Sequence, residues 1–567
     1  AGPEVSMLRE PGGKTAQFNW TGVLADNVTA TSGFGWNDFR LHQLFRDDST
    51  VHTRDLVTQR RFGNPGGGGR DSTGINWDYN ASLSWFIPDA AGRHDVKLGF
   101  EYTHSPFDWG FTEIEDHQLR VANGVPEQVV ISNTPVDAKW LQHYTSVYVQ
   151  DSWTIQDRLT LNLGVRFDRI DAITPEQSSG GGNFANTQLA EEFPRLNRTT
   201  YAEQDLWAWN SMGPRLAASY EIGETGRTVL RGGYGRIYHH LNSQQVWSVN
   251  PNFPSNITFR WNDSDGDAQF QLDEQGTLLS VSGGGRVGVD PDLRHPFSDE
   301  FTVGVSHEPV TDLGVSASFI YREDKDLNAT INIGVPFDSY TPVEVPDPEG
   351  GTLTVFAQDP ATFGQDQLLL TNPDRHGFLA NREFKALELV ANKRLSDRWQ
   401  FVGSLVISDM EVTVPADASG GAIGSTFNNP NANLNTRGKD TLNQKYLVKL
   451  QGTYEAPYGI LLSGLYRYGS GFPYTRDLVV RGLPQGTITV FAEPRGSRET
   501  DDYNWIDFRV EKTFDLQATR LGVMVDLFNL TNSATVLREG TRTGINLGQP
   551  QIVKTPRIAR FGVRFTW

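Results

Sequence analysis

The sequence predicts an all-β chain, a large antiparallel transmembrane β-barrel. Three observations predict it: alternating segments of membrane-crossing length, short turns traded with long polar loops, and a composition too polar for membrane helices. Only 37% of the 567 residues are hydrophobic, yet Phe (32), Tyr (17), Trp (14) and Gly (57) are abundant. No apolar run reaches the ~18 residues of a transmembrane helix. Many rings and glycines at low hydropathy suit strands that bury one face only.

The reference segment runs from Arg158 to Asp168. Leu159, Leu161, Leu163, Val165 and Phe167 alternate with Thr160, Asn162, Gly164, Arg166 and Asp168. Alternate side chains of a strand point to opposite faces, so one face is apolar and the other polar. A tilted strand of about 9–11 residues crosses a bilayer. The pattern recurs at Leu313 to Arg322, at Ile506 to Glu511, at Leu521 to Leu527 and at Ala559 to Trp567. A soluble sandwich shows the same alternation, so the connections decide. Ser396-Asp397 and Ala456-Pro457-Tyr458-Gly459 read as short turns, whereas 171–209, 240–296, 325–380 and 412–440 read as long external loops. Such asymmetry marks an outer-membrane barrel. Tyr144, Tyr148, Trp153, Tyr466, Tyr468, Phe472, Tyr474 and Trp505 are candidates for interfacial rings beside outer-membrane lipid. Roughly 18–20 strands are expected. Sheet edges in hydrocarbon leave backbone groups unpaired, so the sheet is expected to close around a lumen needing a plug or serving as a channel.

Composition narrows the function classes. With no cysteine, a disulfide framework, thiolate zinc sites and a cysteine nucleophile are excluded. A net charge of -18 repels nucleic acid, so no nucleic-acid partner is expected. Acidic external loops could attract cations. Ala1-Gly2-Pro3-Glu4 lacks the charged and apolar regions of a secretory signal. No nucleophile elbow or zincin motif is visible, so no enzyme and no required cofactor are expected. The glycine run Gly66–Gly69 lacks the Lys-Ser/Thr of a phosphate cradle. His94, His104 and His143 are expected near strand ends as ordinary polar residues, and adjacent His239-His240 make a poor metal pair.

One cluster points to a metal. Asp263, Asp265, Asp267 and Glu274 resemble a calcium loop, in which clustered carboxylates serve a hard cation and a Glu twelve positions from the first Asp binds through both oxygens. Glycine sits at the fourth position and not the sixth, where Ala268 lies. The alternative is a solvated acidic turn. At the C-terminus, Phe561, Val563, Phe565 and Trp567 resemble the signal read by the outer-membrane barrel-assembly machinery.

Several motifs resemble TonB-dependent receptors, especially the Oar-like group with a carboxypeptidase-regulatory-like domain ahead of the plug. They are Tyr148-Val149-Gln150-Asp151-Ser152-Trp153 followed by Arg158 to Phe167, Gly213-Pro214-Arg215-Leu216 leading to Tyr234-Gly235-Arg236, Lys393-Arg394-Leu395-Ser396-Asp397-Arg398-Trp399, Gly469 to Thr475, and Asp526 to Asn532. Their order along one chain, from about residue 76 to the end, carries the resemblance. It implies a barrel of about 22 strands around a plug. It also implies energised uptake of an extracellular ligand across the bacterial outer membrane, driven through a TonB complex. Neither a plug, a TonB box nor a regulatory-like domain is found before residue 16, so 1–567 is read as barrel alone, without its first hairpin or hairpins. A passive channel and an adhesion or signalling barrel are the alternatives.

Overall fold

A computed structural model describes residues 6–46, 49–64, 69–240, 243–285, 287–413, 425–516 and 519–567. Residues Ala1 to Glu4 and Gly66 to Gly68, singled out above, lie outside the described residues. No described helix is long and apolar enough to cross a membrane.

Among the described residues, seventeen long strands follow one another as an antiparallel meander: β1 (Met7–Ala25), β2 (Val28–Phe45), β3 (Gly69–Ile87), β4 (Arg93–Thr112), β5 (Val136–Ile155), β6 (Leu159–Thr174), β7 (Gln204–Ile222), β8 (Thr228–Tyr238), β9 (Phe297–Val310), β10 (Leu313–Lys325), β11 (Asn381–Ser396), β12 (Trp399–Thr413), β13 (Tyr446–Ala456), β14 (Ile460–Gly469), β15 (Tyr503–Leu516), β16 (Thr519–Phe528) and β17 (Ile558–Thr566). A three-residue strand, Arg437–Lys439, extends the sheet beside β12 and brings it to 18 strands. Connections alternate throughout. Turns such as 26–27, 156–158, 311–312 and 397–398 close one end; the described parts of 46–68, 113–135, 175–203, 239–296, 326–380, 414–445, 470–502 and 529–557 lie at the other. Four of these eight long loops correspond to the stretches 171–209, 240–296, 325–380 and 412–440 expected from the sequence. Asp397 and Arg398 both take positive φ (51° and 70°), the backbone of a two-residue hairpin turn that follows the strands' twist.

The wall has the expected faces. Leu163, Val165 and Phe167 of β6 are exposed outward, whereas Asp168 is buried toward the lumen. Leu98, Phe100, Val147, Leu216, Val303, Phe319, Leu389 and Val563 share the outward face through the strand registers and are exposed too. In lipid these residues need no protein partner. The inner wall is closely fitted: a side chain at Gly99 would collide with the ring of Tyr148, its neighbour across the ladder, and one at Gly469 with Tyr503.

Closure differs from expectation. Among the described residues no pairing joins β1 to β17, and each pairs on one side only. Both run from the long-loop end to the turn end, because an odd number of strands separates the two edges. They could therefore complete an antiparallel ladder only through an odd number of further strands.

Candidate functional site

The site begins with polar residues on the lumen wall. Arg166 donates to Asp168 and Glu101, each at 2.7 Å, and to Ser146 at 2.6 Å. Asp526 is held between Arg509 and Arg560, and Glu511 by Arg564. Paired charges can stay partly desolvated in the wall while presenting polar edges to the lumen. One recess of about 920 Å³ is lined by Arg166, Arg215, Arg231, Glu101 and Glu300 among others. Another, of about 800 Å³, is lined by Gln400, Gln451, Thr453, Asp507 and Arg509 among others.

Several candidate interfacial rings are relocated. Register places Trp153, Tyr466 and Tyr468 outward, where Trp153 stacks on His94. Tyr144, Tyr148 and Trp505 point into the lumen instead: Tyr144 stacks on His240, Arg166 lies over Tyr148, and Arg467 lies between Tyr503 and Trp505. Phe472 and Tyr474 belong to a loop. Alternation alone cannot tell an inward ring from an outward one when both stand near a strand end. On the outer surface His104 meets His143 at 2.9 Å, and His143 meets Asp171 at 2.8 Å, just beyond the apolar belt. His239 and His240 follow the end of β8 and part company, His239 toward Ser298 and His240 onto Tyr144. His239 lies 2.7 Å from Ser298, and His295 2.7 Å from Ser211, but both serines are buried.

Above the belt the external loops fold into a cap with cores of its own. In the first body, strands Gln275–Gly283, Ser255–Trp261, Val125–Ser132, His117–Ala122, His52–Asp55 and Arg61–Phe62 form one sheet. Val129, Ile131, Ile257, Phe259 and Leu196 pack on it. In the second body, hairpins Tyr340–Pro346/Thr352–Gln358 and Asp477–Leu483/Gly486–Phe491 enclose Val355, Leu478, Val480, Leu483 and Val490. Buried Arg476 reaches Asp347 and Glu493 beside them. A third cluster lines the upper inner wall: Trp109, Trp140, Trp207 and Trp209 pack with Val246, Val249 and Leu293. Burial pushes His295 in this region down to about 4.

The acidic loop lies in the first body's periphery. Asp263, Asp265 and Asp267 converge, with one carboxylate oxygen of each within 4.8 Å of the others. Ala268 takes the left-handed conformation (φ 58°) that glycine usually supplies at that step of a calcium loop. Glu274 does not join them. It is buried, and its oxygens accept from Ser264 N (2.8 Å), Trp261 Nε1 (3.1 Å) and Gln271 N (3.2 Å). The expected four-residue set is therefore three aspartates, with Glu274 tying the loop's two ends. At the C-terminus Phe561, Val563 and Phe565 stand exposed along the outward face of β17, with Trp567 just beyond it, on an edge unpaired among the described residues.

The outer membrane beta barrel domain family matches residues 10–475. The chain belongs to that family. Its place is the bacterial outer membrane, with strands crossing the bilayer and the cap outside. The TonB-dependent transporter Oar of Myxococcus xanthus is 25% identical over 325 residues, which are 49% of this chain and 28% of Oar. Among solved structures, the outer membrane transporter YddB of Escherichia coli superposes with a TM-score of 0.58 at 14% identity, covering 98% of this chain and 63% of YddB. The ferric yersiniabactin uptake receptor FyuA of Yersinia pestis gives 0.53 at 11% identity, covering 99% of this chain and 61% of FyuA. The fold is thus that of these outer-membrane transporter and receptor barrels. The chain spans less than two thirds of each of these proteins' lengths.

Proposed function

We propose that this barrel is the membrane part of a TonB-dependent receptor that takes up an extracellular ligand, with no enzymatic step. The observation that carries the reading is a charged lumen wall beneath a folded cap, an arrangement suited to gated uptake more than to free diffusion. The likeness to Oar supports it. In this reading a plug, the remaining strands and the TonB contact are supplied by parts of the parent protein outside this chain. Uptake by the parent protein should stop when the inner-membrane proton gradient is collapsed. Uptake unaffected by that treatment, with steady ligand-free conductance, would establish the passive channel instead.

Two further assignments belong to this reading. The exposed outward residues of β17 are proposed to be read by the barrel-assembly machinery, supported by their alternation and exposure on a free edge. Deleting Phe565–Trp567 should lower the heat-modifiable, folded fraction in the outer membrane several-fold; an unchanged fraction contradicts this. The Asp263–Asp265–Asp267 loop is proposed to bind calcium, supported by its ligand spacing and the backbone at Ala268. Calorimetry should show heat that Asp265→Asn removes, and no heat at millimolar calcium would end the assignment.

A further inference from the structure

We propose that the hairpin Asp477–Leu483/Gly486–Phe491 is a releasable bar across the barrel mouth. It is rooted in the loop joining β14 to β15. Its tip meets the loop joining β4 to β5, ten strands away around the wall, on the opposite side of the mouth. There Glu127 Oε1 accepts from Thr487 Oγ1 at 2.7 Å and from Thr487 N at 3.2 Å. Arg260, from the loop joining β8 to β9, donates to the Pro484 carbonyl at 3.0 Å. At the tip, Gly486 (φ 91°) lies against the Gln128 side chain.

The chemistry on the two sides of the tip is unequal, and that makes it a latch. Within its own body the hairpin is fixed by apolar packing through Leu478, Val480, Leu483 and Val490. Gln485 reinforces this by donating to the Phe356 carbonyl at 2.8 Å and accepting from Gln358 N at 3.0 Å. None of those apolar residues belongs to the core of the first body. At the tip itself the contacts made by Glu127 and Arg260 are polar, and water can replace each when the tip lifts. The tip can therefore lift from the first body while the hairpin keeps its own packing, as in other closures by hinged elements.

The inference rests on the lumen being the ligand's route, but its test needs neither ligand nor energy. The chain has no cysteine, so Asn80→Cys on the inner wall supplies a single lumen thiol. A maleimide carrying a bulky polymer, added outside intact cells, should label it slowly, while a small maleimide labels it quickly. Adding Glu127→Ala with Arg260→Ala should raise the bulky reagent's rate at least tenfold and leave the small reagent's rate unchanged. Adding Glu127→Cys with Thr487→Cys instead, oxidised so that only the thiol at 80 is free, should abolish bulky labelling, and this variant retains the packed cap. Equal bulky rates in all three proteins would overturn the bar. Loss of uptake with these rates behaving as stated would reject the uptake reading alone.

Discussion

Strand β6 passes through two surroundings, and its faces exchange roles between them. Up to Phe167 the odd-numbered side chains are apolar and face outward, while Arg166 and Asp168 face the lumen. Two residues further on, Ile170 and Ala172 are buried on the lumen side, and Arg169 and Asp171 face outward. In the belt, lipid is the apolar phase and the lumen is wet. In the upper wall, water lies outside and the loop core fills the interior. The backbone and its period of two do not change; only the medium on each side does. One strand thus obeys membrane rules along one stretch and soluble-protein rules along the next.

The largest effect is expected in the upper wall, where Trp140 is 2% exposed. Trp140→Ala should cost about 3–5 kcal/mol, because a packed core cannot close over the lost ring. Limited proteolysis of the cap would show it, with the wall still heat-modifiable. In the belt Val165→Arg should cost about 2–4 kcal/mol by denaturant titration in lipid, while Val165→Ala costs little. Protease resistance retained by Trp140→Ala, or a neutral Val165→Arg, would erase the distinction.

Acid should act on the cap before the wall. His295 is neutral in the fold, held at about 4 by burial, but titrates near 6.5 when its segment unfolds. Unfolded segments then bind more protons, so this contribution is complete above about pH 6.5 and is lost as pH falls toward 4. Cleavage within 239–296 should rise roughly tenfold between pH 7.5 and pH 5, and replacing His295 with Gln should flatten the rise. A pH-independent rate would contradict this assignment.

What the sequence could reveal follows from the same contrast. The wall was legible because Leu159 to Phe167 and Ala559 to Trp567 alternate without interruption. The reversal above Phe167 was not, since Ile170 and Ala172 continue an alternation that carries no label for the wet side. The cap was hidden for a related reason. Val129 and Ile131 are buried by residues such as Ile257 and Phe259 more than a hundred positions away, and no local spacing announces such pairing. At the acidic loop the structure brings the three aspartates named from the sequence near one another. It misplaced Glu274 because twelve-residue spacing fits both a cation ligand and a side chain bonded to Trp261 and the loop backbone. The free edges of β1 and β17 could not be read from periodicity, which describes one strand at a time.

The most direct test is a scan of single cysteines along β6 in membranes, using a water-soluble maleimide. The account predicts reaction at Asn162, Gly164 and Arg166 with protection at Leu161, Leu163, Val165 and Phe167, then the opposite parity, with Arg169 and Asp171 reactive and Ile170 and Ala172 protected. One parity maintained along the whole strand, or no alternation through 161–167, would contradict it.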